Sequence, residues 1–172
     1  ALTYAKDSSK IMSELQKIRY KKAVIDFDQR NHFFVEDWIK NNKAYLEIDT
    51  TWSDVDSIQV SDKKKFNGFF KKEYSAENPK TPLRYLSKEK SESVFSKKWE
   101  GDDGIYGVAL VGHLDWLWVT HTGFLILKKG EIPKFRHASS KEKKVSEVEL
   151  VSYLKSRKKI NGMALFKFSE LK

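Results

Sequence analysis

The chain has 172 residues, 33 Lys and Arg against 24 Asp and Glu, a net charge of +9, and no cysteine. With 40% hydrophobic and 13% aromatic residues it is too apolar for a disordered protein and long enough for one domain with a sizeable core. The missing cysteines exclude disulfide scaffolds and thiolate–zinc sites within these residues, and no apolar run approaches the roughly 20 residues of a membrane span.

The charge invites a nucleic-acid reading, yet the lysines are scattered over Lys63–Lys65, Lys71–Lys72, Lys97–Lys98, Lys141–Lys144 and Lys155–Lys159. Lysine far outnumbers arginine, the residue suited to bidentate recognition, and no helix-turn-helix, zinc-finger or RNA-binding signature occurs. A solvated basic surface, attracted to anionic envelope polymers, accounts for the charge better than a nucleic-acid partner.

In chain order, Ser8–Tyr20 reads as an amphipathic helix with Ile11, Leu15 and Ile18 on one face and Ser8 or Ser9 as N-cap. Ala23–Phe27 reads as a short strand, and Asn31–Asn42 as a helix carrying Phe34 and Trp38. Ala44–Thr50 and Val55–Val60 alternate like the two strands of a hairpin, and Asp62–Lys72 returns to helical character. Ser75–Lys98, with Pro79 and Pro82, reads as an extended loop with one short helix.

From Ile105 the signal is β: strands over Ile105–Val111, Trp116–Leu127 and Pro133–His137, with Gly130 in the turn at 128–131. Ser146–Lys155 reads as a helix with a capping box in Ser146 and Glu149, and Gly162–Phe168 as a last strand. Early helices followed by sequential strands predict an α+β fold with a mostly antiparallel sheet, in a single domain over 1–172.

The chemistry centres on His121 and on His137, 16 residues later across the hairpin. A histidine in an apolar strand costs desolvation unless its nitrogens find partners. Two in facing strands are either a satisfied core pair or a dyad in which one imidazole is a base and the other orients it. Ser139 and Ser140 lie nearby, but no serine sits on a nucleophile elbow. The four histidines lack His-Glu-x-x-His spacing, so neither a metal nor another cofactor is expected. Trp116 and Trp118 share a strand face, so at least one is expected to pack in the core.

The pairing of His-x-Gly (His121–Gly123) with His-Ala-Ser (His137–Ser139) resembles the second half of papain-like, NlpC-type cell-wall cysteine hydrolases. The segments Ile18–Asn42, Gly101–Leu110, His113–Ile126, Arg136–Ser140 and Gly162–Phe168 are similar to the N-acetylmuramoyl-L-alanine amidase-like branch. His113 departs from that pattern, where glycine more usually precedes Leu-Asp.

The resemblance implies a papain-like α+β fold and hydrolysis of the amide between N-acetylmuramic acid and L-alanine of peptidoglycan fragments. Stem-peptide hydrolysis and non-catalytic binding are the alternatives. It implies His121 as general base, His137 as orienter, and a nucleophilic cysteine on a helix before Ala1, so that these residues alone would be inactive. Arg30, Asp37, Trp38, Asp115, Trp116 and Ser139 are the implied substrate-binding residues. Muropeptides are the implied partners, and the bacterial envelope, periplasmic or exported, the implied location.

Overall fold

A computed structural model describes residues 7–60, 62–71, 80–114 and 117–169. Eight strands form one antiparallel sheet: β1 (Leu46–Asp49), β2 (Val55–Val60), β3 (Lys80–Ser87), β4 (Gly104–Leu114), β5 (Leu117–Leu127), β6 (Lys134–Ser139), β7 (Lys144–Glu149) and β8 (Ile160–Phe168). Their order is β2-β3-β8-β4-β5-β6-β7, with β1 also pairing β8. Four α-helices accompany them: α1 (Ile11–Arg19), α2 (Lys63–Phe70), α3 (Lys88–Phe95) and α4 (Leu150–Ser156).

The expected α+β architecture with a mostly antiparallel sheet is what the structure has. Alternation along β4 sends Val108 and Leu110 to one face of the sheet and Ala109 and Val111 to the other, and all four are fully buried. On the first face they join Leu125, Leu127, Phe135, Met163 and Leu165, beneath Phe95 of α3 and Leu150 and Leu154 of α4. On the second they join Val119, Ala164 and Phe166, beneath Val35 and Ile39.

Several expectations are corrected. Helix α1 forms, but the preceding 3₁₀ turn is held by Asp7, whose carboxylate accepts from the Ser9 N–H at 2.8 Å. Ala23–Phe27 is not a strand: Lys22 and Ala23 adopt left-handed φ of 53° and 57° and turn the chain, leaving one isolated bridge between Tyr20 and Arg30. Within Asn31–Asn42 the helix is a π-helical segment, Phe34–Ile39, opened by a Trp38 N–H bond to the Phe33 carbonyl five residues back.

Strands β1 and β2 do not form a hairpin. β1 pairs β8 through Leu46–Phe168 and Asp49–Leu165, whereas β2 pairs β3 through Val55–Tyr85 and Val60–Lys80. The stretch read as loop contains β3, and Pro82 sits where β3 has only β2 beside it. A strand edge tolerates a missing donor, so the proline does not break it. Part of that stretch, 75–79, lies outside the described residues. Finally, Ser146 is in β7, its hydroxyl donating to Glu142 at 2.6 Å, and α4 begins only after Glu149, without the expected capping box.

Candidate functional site

The β5–β6 hairpin creates the site. Its turn has Gly130 at φ 80°, a left-handed conformation that glycine adopts at no steric cost. The turn is pinned from outside: the Gly130 N–H donates to the Trp99 carbonyl at 2.8 Å, and the Lys129 N–H donates to the Asp103 carboxylate at 2.8 Å. Beyond the turn, Leu125 pairs with Phe135 and Phe124 with Arg136. Continuing that register places Gly123 opposite His137 and His121 one step further along the same face.

Strand β5 reaches this face through a bulge. Leu110 pairs with His121, but its neighbour Val111 pairs with Val119, leaving Thr120 as the extra residue. Val119 consequently joins the core of one sheet face, while His121 shares the other face with Leu110 and Phe135.

His121 Nε2 lies 2.9 Å from His137 Nδ1, with the rings nearly perpendicular at 81°. His137 is buried; Phe135 stacks on it at 5.0 Å and 12°, and Tyr153 of α4 packs against it at 4.9 Å. Those two rings fix the His137 plane, and His137 then fixes His121. The Nδ1 of His121 makes no hydrogen bond among the described residues. Burial, the positive potential of His137 and the Arg157 guanidinium all hold the His121 pKa below the ordinary imidazole value. A neutral His121 that donates Nε2–H to His137 Nδ1 keeps an Nδ1 lone pair available to take a proton.

His121 stands between two cavities. The larger, about 790 Å³, is an apolar groove walled by Phe34, Trp38, Phe124, Phe166 and Phe168, with Leu15 and Ile18 of α1 along its margin. Its aromatic wall is continuous: Phe34 stacks on Trp38 at 5.2 Å, and Phe166 touches Phe34, Trp38 and Phe168. Gly107 of β4 makes that wall possible, because a Cβ there would fall inside the Phe166 ring. The smaller cavity, about 590 Å³, is bounded by His121, His137, Ser139, Tyr153 and the basic residues Lys141, Arg157, Lys158 and Lys159.

The other expected residues are distributed unevenly. Trp38 lines the apolar groove. Ser139 borders the basic cavity, its oxygen accepting from the Glu142 N–H at 3.1 Å. Asp37 is buried; its carboxylate accepts from the Phe33 N–H at 3.2 Å and pairs with Lys21 at 3.3 Å. Arg30 lies over the Tyr20 ring at 5.9 Å, and neither Arg30 nor Asp37 lines either cavity. Asp115 and Trp116 fall outside the described residues. His32 lines the groove with Nε2 2.8 Å from the Phe27 carbonyl. Among the described residues no three His, Asp or Glu side chains converge on a point.

Sequence reasoning missed Phe135, Tyr153 and Arg157. The i, i+4 spacing of Tyr153 and Arg157 is a usable signal, since it sets the guanidinium over the ring at 4.8 Å.

Comparison with known proteins adds to this geometry. A family model described as AmiA-like, N-acetylmuramoyl-L-alanine amidase-like, matches residues 1–163. No curated protein matches the sequence. Among solved structures, an N-acetylmuramoyl-L-alanine amidase from Bacteroides uniformis superposes with a TM-score of 0.75 at 23% identity, covering 98% of this chain and 78% of that one. A Bacteroides fragilis protein provisionally named a xylanase gives 0.71 at 27% identity, over 94% and 76%. The Legionella pneumophila protein LPG0564 gives 0.66 at 20% identity, over 91% and 68%.

Proposed function

The chain belongs to the N-acetylmuramoyl-L-alanine amidase-like family, and from that membership we propose that it is the histidine-bearing part of a papain-like cell-wall amidase. The bond cut is the amide between N-acetylmuramic acid and L-alanine of peptidoglycan fragments, and the setting is the bacterial envelope. The observation that carries the reading is the 2.9 Å contact of His121 Nε2 with His137 Nδ1, which leaves His121 Nδ1 for a reacting partner.

That partner is a thiol. The 172 residues contain no cysteine, so the reading places the nucleophile in sequence that precedes Ala1. A free thiol, with a pKa of about 8.5, is only slightly ionised at neutral pH, and a neighbouring imidazole lowers that value. His121 Nδ1 takes the thiol proton, and the imidazolium keeps its Nε2–H on His137 Nδ1. The thiolate attacks the lactyl carbonyl carbon, forming a C–S bond. His121 then gives its proton to the departing alanine nitrogen as the C–N bond breaks. Water, deprotonated by His121, splits the thioester and restores the thiol. His137 accepts one hydrogen bond throughout and transfers no proton.

A glycosidase reading, to which the xylanase name of one neighbour points, finds little support in the residues. Glycoside hydrolysis ordinarily needs two carboxylates flanking the bond. No Asp or Glu among the described residues lines either cavity beside His121. The apolar aromatic wall suits the sugar of a muropeptide, since such rings stack on pyranose faces.

The deciding experiment is hydrolysis of defined muropeptides by the protein with the sequence encoded before Ala1 restored. Release of free stem peptide from intact glycan, lost on His121→Ala, is expected. Shortened stems in the mass spectrum would indicate an endopeptidase of the same superfamily. No cleavage, or cleavage undiminished by His121→Ala, sinks the reading, and binding without cleavage leaves a non-catalytic peptidoglycan module.

A further inference from the structure

The two cavities flanking His121 differ in chemistry, and the difference orients a substrate. The groove on one side is aromatic. The cavity on the other carries Lys141, Arg157, Lys158 and Lys159, and no carboxylate among the described residues lines it. None of these four cations is in the ion pairs of the described residues, although Lys134, Arg136, Lys144 and Lys155 nearby all are. Glu142, whose charge also reaches Lys141 and His137, accepts from the Ser146 hydroxyl and faces Lys144 at 3.8 Å, and it does not line the cavity.

Arg157 is the most firmly placed of the four. Its guanidinium lies 4.8 Å over Tyr153, the ring that packs against His137. Its charge also reaches His121, where it disfavours the imidazolium. A guanidinium outside the ion pairs of the described residues, placed over a ring beside the dyad, offers a fork of donors within the cavity that His121 lines.

We propose that the basic cavity bounded by Arg157, Lys158, Lys159 and Lys141 is a carboxylate-binding subsite for the peptide on the amine side of the scissile amide. The acyl side, with its sugar, then lies along the aromatic groove. This rests on the amidase reading and gives it a direction: an amino acid leaving from the lactyl amide carries either its own carboxylate or further acidic residues. Binding that anion anchors the leaving group and presents its nitrogen to the His121 proton. The subsite therefore favours free acids over amidated peptides.

The test separates this subsite from the amidase reading. N-Acetyl-L-alanyl-D-glutamate, in which acetyl stands in for the lactyl acyl group, is titrated into the protein against its diamide, with the His121 and His137 ring C–H resonances followed by NMR. The dianion is expected to bind, to move both sets of resonances, and to weaken as salt rises. Its affinity should fall roughly tenfold in Arg157→Gln and further in R157Q/K158Q/K159Q. These residues are exposed, so an unchanged circular dichroism spectrum is expected in each variant. No binding, equal affinity for dianion and diamide, or affinity untouched by the substitutions overturns the subsite, whatever the hydrolysis assay shows. Charge-dependent binding without any muropeptide hydrolysis overturns the amidase reading and leaves the subsite standing.

Discussion

Gly123 and Phe135 occupy one place between them. A Cβ on Gly123 would lie 2.6 Å from Phe135 Cε2 and 2.6 Å from the Arg136 carbonyl oxygen, so the ring that supports His137 is seated in the space that glycine leaves. The glycine of His-x-Gly is thus a requirement of the histidine on the facing strand. Gly123→Ala is expected to cost about 1–3 kcal/mol, the usual range for overpacking. Chemical denaturation measures that loss, and the ring resonances of His137 should shift with it.

The dyad predicts unequal losses. In the protein carrying its nucleophile, His121→Ala should reduce kcat by roughly 10²–10⁴, the range for a positioned general base. His137→Ala should lower kcat less, and His137→Asn, which keeps an acceptor toward His121 Nε2, should recover part of the loss. Steady-state kinetics with a muropeptide decide it; equal loss in both His137 variants would contradict the orienting role.

Acid should destabilise the fold through its neutral histidines. His121 and His32 both have pKa values held below the ordinary value of about 6.5, burial being the largest cause in each. The unfolded chain therefore binds more protons than the folded one once the pH falls below about 6.5, and stability declines from there down through the lowered folded values. Thermal melts from pH 7.5 to 5 should show this slope, and a His32→Gln, His121→Gln double variant should flatten it. A slope unchanged by both substitutions would assign it to other groups.

Asp37 should behave as a structural residue. Its buried carboxylate receives the Phe33 N–H at the opening of the π-helical segment and pairs with half-exposed Lys21. Asp37→Ala leaves that N–H unpaired and is expected to cost about 1–3 kcal/mol. Urea unfolding measures the cost, and the KM of the restored enzyme should stay within about twofold (ΔΔG under ~0.5 kcal/mol). A KM that rises by tenfold with stability intact would instead return Asp37 to the binding site.

What could be read from the sequence divides by range. The strands β4, β5, β6 and β8 follow from local alternation, and the approach of His121 to His137 follows from a short turn between adjacent strands. The partner of β1 is not local: β8 lies more than a hundred residues away, and nothing in Ala44–Thr50 names it. Ser146 and Glu149 have capping-box spacing, but cross-strand pairing of β7 with β6 holds them extended. Pro82 reads as a breaker because a sequence does not say which strands are edges. The basic cavity escaped for a related reason: Lys155–Lys159 looks like an ordinary solvated run until α4 brings it beside the dyad.

Thr120, the extra residue of β5, carries a consequence of a different kind. Bulged out of the ladder, it lets Val119 and His121, two positions apart, take opposite faces, where a regular strand would put both on one. A strand lacking Thr120 makes the same division between two consecutive residues, so His121 keeps facing His137 at the shorter length. Straightening the bulge with Thr120 in place is what would carry either Val119 out of the core or His121 away from its partner. Among related chains, the loss of one residue at this point is therefore compatible with the chemistry, and the facing of the histidine against Leu110, not its distance along the strand, is the feature to compare.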